Sequence, residues 1–112
     1  MDAEKFRTLA LCFPEASEES HMDHPDFRVC GKVFASLGPD EDWAMLKLTP
    51  PEQERLMLVD AQAYSPFKGA WGKRGWTRVE LSRAKVKAVR EGLRLAWCNT
   101  APKRLVTEHE NS

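Results

Sequence analysis

The sequence predicts an α+β domain of two layers, a mostly antiparallel sheet with helices packed on one face, in the order α-β(3)-α-β(2)-α. Apolar residues recur at helical spacing near both ends of the chain and again after Thr49, and short alternating stretches lie between them. Cys30-Gly31 supplies a two-residue hairpin turn between two of those stretches, and strands joined by tight turns pair antiparallel.

Asp2 is placed to cap a first helix, in which Phe6, Leu9, Ala10 and Phe13 follow the i, i+3, i+4, i+7 rule and Pro14 marks the end. Residues 15–26 are polar and acidic, with prolines at 14 and 25, and read as a loop. Residues 27–29 and 32–37 read as strands around the Cys30-Gly31 turn. Residues 38–42 form the next turn, and residues 43–48 a third strand.

Thr49, Pro50 and Glu52 form a capping box with proline at the first helical position. The helix they start is expected to reach about Asp60 and to bury Leu56 and Val59. Residues 63–67 suit a short edge strand, because Pro66 cannot donate to a central ladder. Gly69, Gly72 and Gly75 punctuate a basic loop over residues 68–75. A strand follows over residues 76–81, with Thr77, Val79 and Leu81 on one face and Trp76, Arg78 and Glu80 on the other.

Ser82 is expected to cap a last helix over residues 83–97, with Val86, Val89, Leu93, Ala96 and Trp97 as its apolar stripe. Gly92 weakens that helix by up to about 1 kcal/mol relative to alanine. Residues 1–99 are read as a single domain and residues 100–112 as a loose tail.

A length of 112 residues suits one domain, and 42% hydrophobic with 30% charged residues excludes disordered and fibrous classes. No apolar run approaches the roughly 18–20 residues of a membrane span. Residues 1–11 carry no signal-peptide core, which points to the cytoplasm. Cys12, Cys30 and Cys98 are odd in number and far apart, so they read as reduced, small hydrophobic residues. Net charge is zero but divided: residues 1–60 hold 6 Lys and Arg against 13 Asp and Glu, and residues 61–112 hold 11 against 4. A neutral total argues against bulk packaging of nucleic acid and leaves room for a local basic patch.

Phe13-Pro14-Glu15, Phe27-x-Val29-x-Gly31-Lys32-Val33-Phe34-Ala35, Lys47 and Gly75-Trp76-x-x-Val79-x-Leu81 together resemble the pattern of the MmcQ/YjbR family. The resemblance spans about two thirds of the chain, and the hairpin is its most specific part. It implies the same α-β(3)-α-β(2)-α fold and a DNA-binding protein. Family resemblance fixes a fold better than an activity.

Arg83, Lys87, Arg90 and Arg94 are spaced i, i+4, i+7, i+11, which on one helix confines them to an arc of about 60°. Such a stripe can track phosphates, or its long stems can cover the edge of the core. Lys68, Lys73 and Arg74 lie beside Trp71 and Trp76 in the glycine-rich loop, which is not a Walker loop because GxxxxGK[ST] is absent. Trp71 could stack on a base or pack inside, while Trp76 is expected in the core against a helix. Lys32, Phe34 and Ser36 share one strand face, as do Trp43, Met45 and Lys47, giving either a solvated sheet surface or a small ligand platform.

His21-Met22-Asp23-His24 with Asp26 has ligand-type residues but no distant partner set beyond His109, so turn or cap duty is expected and no metal. Cys30 and His24 make the only sequence-local Cys–His pair, and a tight turn offers it no pocket. No catalytic residue and no cofactor is expected, hence no enzyme. The reading is a cytoplasmic, non-enzymatic protein, a monomer or weak dimer, that meets double-stranded DNA through Lys68, Trp71, Lys73, Arg74, Arg78, Arg83, Lys87, Arg90 and Arg94. The alternative is a protein- or small-ligand-binding module of the same fold, working through the sheet face or by self-association of the acidic and basic halves.

Overall fold

Local signals set the helix starts in the computed structural model, which describes residues 1–111 apart from the His21 side chain. The Asp2 carboxylate accepts from the Lys5 backbone N–H and opens α1 (Ala3–Leu11), which buries Phe6, Leu9 and Ala10. The Thr49–Glu52 capping box is complete and opens α2 (Pro50–Val59). Leu56 faces inward, but Val59 is 68% exposed, because the chain leaves the helix there and Ala63 and Tyr64 take the buried positions instead.

Six strands form one antiparallel sheet in the order β1-β2-β3-β4-β6-β5. They are β1 (Ala16–His21), β2 (His24–Val29), β3 (Lys32–Leu37), β4 (Trp43–Lys47), β5 (Tyr64–Pro66) and β6 (Trp76–Glu80). The expected acidic loop over residues 15–26 is instead β1, a turn and the start of β2. Met22 and Asp23 both take positive φ, 52° and 68°, the geometry of a two-residue hairpin turn. Cys30 and Gly31 do the same between β2 and β3, at 50° and 81°. β5 holds the opposite edge, as Pro66 requires.

One sheet face carries Phe27, Val29, Ala35, Leu37, Ala44, Leu46, Thr77 and Val79, all buried, under α1, α2 and α4 (Val86–Thr100). Helix α4 supplies Val89, Leu93, Ala96 and Trp97 to that core. The Trp97 indole N–H donates to the Pro14 carbonyl at 3.1 Å, and Phe13 stacks on its ring. Gly92 has a packing role, since a Cβ there would press on Leu46 Cδ1 at 2.8 Å.

Other sequence expectations change at the C-terminal side. Ser82 does not cap a helix. Arg83 and Ala84 both fold back to the Glu80 carbonyl, which buries Ala84 before α4 begins three residues later than expected. The tail expected to be loose contains α5 (Lys103–Glu110), whose Leu105 is 4% exposed and whose His109 packs on Trp97. The glycine loop contains a short helix, α3 (Ala70–Lys73). Cys12 and Cys30 are exposed rather than used as core residues, while burial raises the thiol pKa of Cys98. Among the described residues no helix is long and apolar enough to cross a membrane.

Candidate functional site

Alternation along β4 and β6 directs a second set of side chains away from the helices. Lys47 pairs with Trp76, Met45 with Arg78 and Trp43 with Glu80, so these six lie on the uncovered face. Trp76 is therefore outside the core, contrary to the sequence expectation. The Arg78 guanidinium lies 4.7 Å from the centre of the Trp43 ring, and the Lys47 ammonium 5.8 Å from that of Trp76. Arg78 also meets Glu80 at 3.7 Å. Phe67 packs on Trp43 with ring centres 5.7 Å apart.

A bulge at Phe27/Arg28 changes what β3 shows to each side. Lys32, Phe34 and Ser36 do not share a face as strict alternation predicts. Ser36 pairs with Asp26 on one side and Met45 on the other, and so joins the uncovered face, whereas Phe34 is fully buried. Lys32 pairs with Val29 at the hairpin end, on the other side of the sheet from Met45.

Close packing positions α3 at the start of β6. A Cβ on Gly72 would collide with the Phe67 carbonyl, and one on Gly75, whose φ is +108°, would collide with the Leu48 carbonyl. Buried Gln53 of α2 donates to the carbonyls of Gly72 and Trp76 at 3.2 and 3.0 Å. The segment is thus anchored by its backbone while its side chains project. Trp71 is 54% exposed and meets Trp76 edge-on at 5.8 Å, and Arg74 reaches over Trp71 at 5.9 Å. Lys68, Lys73 and Arg74 are exposed, and none has an acidic partner among the described residues.

The nine residues expected to form one basic surface fall into separate groups. Lys68, Trp71, Lys73, Arg74 and Arg78 lie at the α3 end and uncovered face. Arg83 precedes α4 and donates to Gln62 at 2.7 Å, so it is not part of the helical stripe. Lys87, Arg90 and Arg94 are on α4, across the sheet. Lys87 borders the α2–α4 groove, and Arg90 and Arg94 border a pocket with Leu9, Phe13 and His109. Arg94 is occupied by Glu91 at 2.6 Å; this hydrogen bond lowers the Glu91 pKa and raises that of Arg94, against the opposing effect of burial.

At the other edge of the sheet two arginines gather carboxylates of the acidic half, which stays negative overall. Arg7 binds Glu4, Glu18 and Glu41, and Arg28 binds Asp26 and Glu19. The hydrogen bond that Arg28 donates to the Asp26 carboxylate raises the Arg28 pKa against desolvation. The His21 side chain of the HxxH motif lies outside the described residues, and among those described no group of three ligand-type side chains could hold a metal. The sequence reading placed Trp43, Met45 and Lys47 on one strand face and Trp76, Arg78 and Glu80 on another, but did not join the two faces or include Phe67; the pairing of β4 with β6 joins them.

A family model described as YjbR matches residues 11–99. No curated protein matches the chain. The crystal structure of Deinococcus radiodurans protein DR2400, a DUF419 domain, has the same fold, with a TM-score of 0.73 and 20% identity over 88% of this chain and 77% of that one.

Proposed function

With the chain's membership of the YjbR family, shown by the match over residues 11–99, as premise, we propose that it is a non-enzymatic protein that binds double-stranded DNA through phosphate contacts at the α3 end of the sheet. Lys68, Lys73 and Arg74 make the first contacts, with Lys47 and Arg78 behind them on the uncovered face. One observation carries the reading: among the described residues the cations of this end have no acidic partners apart from the Arg78–Glu80 pair, while Arg7 and Arg28 hold carboxylates of the first half. The charge division seen in sequence therefore persists in space, which leaves a local positive field on a neutral protein.

Helix α4 is left out of this surface, because its cations stand on the opposite layer and Arg94 is already paired. Phosphate contacts position a protein and carry little sequence information, so weak sequence preference is expected. The protein acts as a monomer or weak dimer in the cytoplasm. Fluorescence anisotropy of a labelled duplex at low salt tests the proposal. Binding in the range of about 1–100 µM, abolished by K68E/K73E/R74E, is the expected result. No binding in that range by the wild-type protein overturns it.

A further inference from the structure

A pocket of about 350 Å³ opens on the uncovered sheet face, beside the basic end. Phe67, Trp71, Trp76 and Met45 give it aromatic and apolar walls, and His24, Asp26 and Ser36 give it a polar side. Its volume lies near the lower limit of small-molecule sites, about 300–1,000 Å³, so it suits a compact ligand.

The polar side is built. Asp26 and Ser36 face each other across β2 and β3 and are 4% and 3% exposed. Arg28 holds Asp26 through Nε to Oδ1 at 2.9 Å and Nη2 to Oδ2 at 3.1 Å. A carboxylate has about four acceptor positions, so each oxygen keeps one after this fork is made. Among the described residues the Ser36 hydroxyl has no hydrogen bond and His24 Nδ1 is buried without a partner.

Aromatic walls select a flat ligand, and a fixed carboxylate selects N–H donors at its edge. We propose that this pocket binds an unpaired nucleobase, with the ring against Trp71 and Trp76 and an exocyclic amino group donating to Asp26. The Ser36 hydroxyl and the His24 imidazole complete the edge contacts. The site takes adenine, guanine or cytosine in preference to uracil, which has no amino group. It does not rest on the phosphate contacts proposed above, because a nucleoside carries no phosphate.

The test is a titration of the wild-type protein with adenosine, guanosine, cytidine and uridine, followed by amide chemical shifts. The expected result is saturable shifts at residues 24, 36, 45, 71 and 76, weaker for uridine than for the other three. Ser36→Ala, which removes no internal hydrogen bond, is expected to weaken binding about tenfold without disturbing the remaining spectrum. A second arm compares mononucleotides with short single-stranded oligomers. Tighter binding of mononucleotides assigns the site to free nucleotides, and tighter binding of oligomers to strand ends or loops. No shift with any nucleoside at millimolar concentration overturns the proposal, as does uridine binding as tightly as adenosine. Nucleoside binding by a protein that ignores duplex would leave the pocket standing and remove only the duplex reading.

Discussion

Salt dependence counts phosphate contacts, so it can locate the binding surface. Among the described residues Lys68, Lys73 and Arg74 have no ion-pair partner, and Arg78 is loosely paired to Glu80 at 3.7 Å. If all four engage phosphates, log K falls with log salt at a slope of about −3.6. Raising salt from about 50 to about 200 mM then weakens duplex binding about 150-fold. Neutralising K68Q/K73Q/R74Q removes three contacts and leaves a slope near −0.9. K87Q/R90Q/R94Q, on the other layer, leaves the slope unchanged. Anisotropy titrations of each variant at four salt concentrations give the slopes directly. A flattened slope in the α4 variant, with the wild-type slope retained in the α3 variant, would refute the assignment of the surface.

The Tyr64 hydroxyl is buried without a partner, and burial, followed by the charge of Asp60, pushes its pKa up to about 12. The folded protein then holds this proton more tightly than the unfolded chain, so its contribution is complete below about pH 10 and falls by about 2–3 kcal/mol as pH rises to 12. Urea unfolding of Tyr64→Phe is expected to lack that alkaline loss and to show no loss of stability at neutral pH, since an unpaired buried hydroxyl costs about 1–3 kcal/mol; a clear neutral-pH loss would mean that the hydroxyl has a partner in solution. Leu105→Ala is expected to cost about 2–3 kcal/mol in the same assay, because α5 is docked through that side chain; a cost near zero would restore the loose tail. Gly75→Ala is expected to cost at least about 1–3 kcal/mol and to loosen α3, from its positive φ and its approach to Leu48; wild-type stability would show that the loop relaxes freely.

Signals confined to a few neighbouring residues were legible in the sequence. The Thr49–Glu52 capping box and the Cys30-Gly31 hairpin depend on backbone geometry within four residues, and both formed as expected. Elements without a buried stripe were not legible. Strand β1 is an edge strand whose Ser17, Glu18, Glu19 and Ser20 are all exposed, so it has no hydrophobic alternation to read. Its turn residues, Met22 and Asp23, adopt positive φ without a glycine to announce it. Helix α5 anchors through Leu105 and half-buried Val106, too little pattern to distinguish it from a tail. Ser82 shows the opposite failure: a good cap signal is overruled when the chain spends one more turn burying Ala84.

The proposed surface was hidden for a different reason. Periodicity tells which residues share one side of an element, and tertiary topology decides which side of the molecule that is. The α4 cations do lie along one helix, yet the helix packs on the Leu46 face of the sheet, whereas the aromatic residues of β4 and β6 point the other way. No helical-wheel argument can join residues separated by a sheet. Strand β6 lies between β4 and β5, and that placement sets Trp76 and Arg78 beside Lys47 and Met45. The bulge in β2–β3 then turns Ser36 onto the same face and keeps Phe34 in the core. Both events depend on long-range pairing, so the basic end and the polar side of the pocket became one surface only on folding. Ser36 lies on β3 and Lys73 and Arg74 at the end of α3, so either set can be changed with the other in place. The proposed phosphate and base contacts are therefore separable by mutation, although they share one face of the sheet.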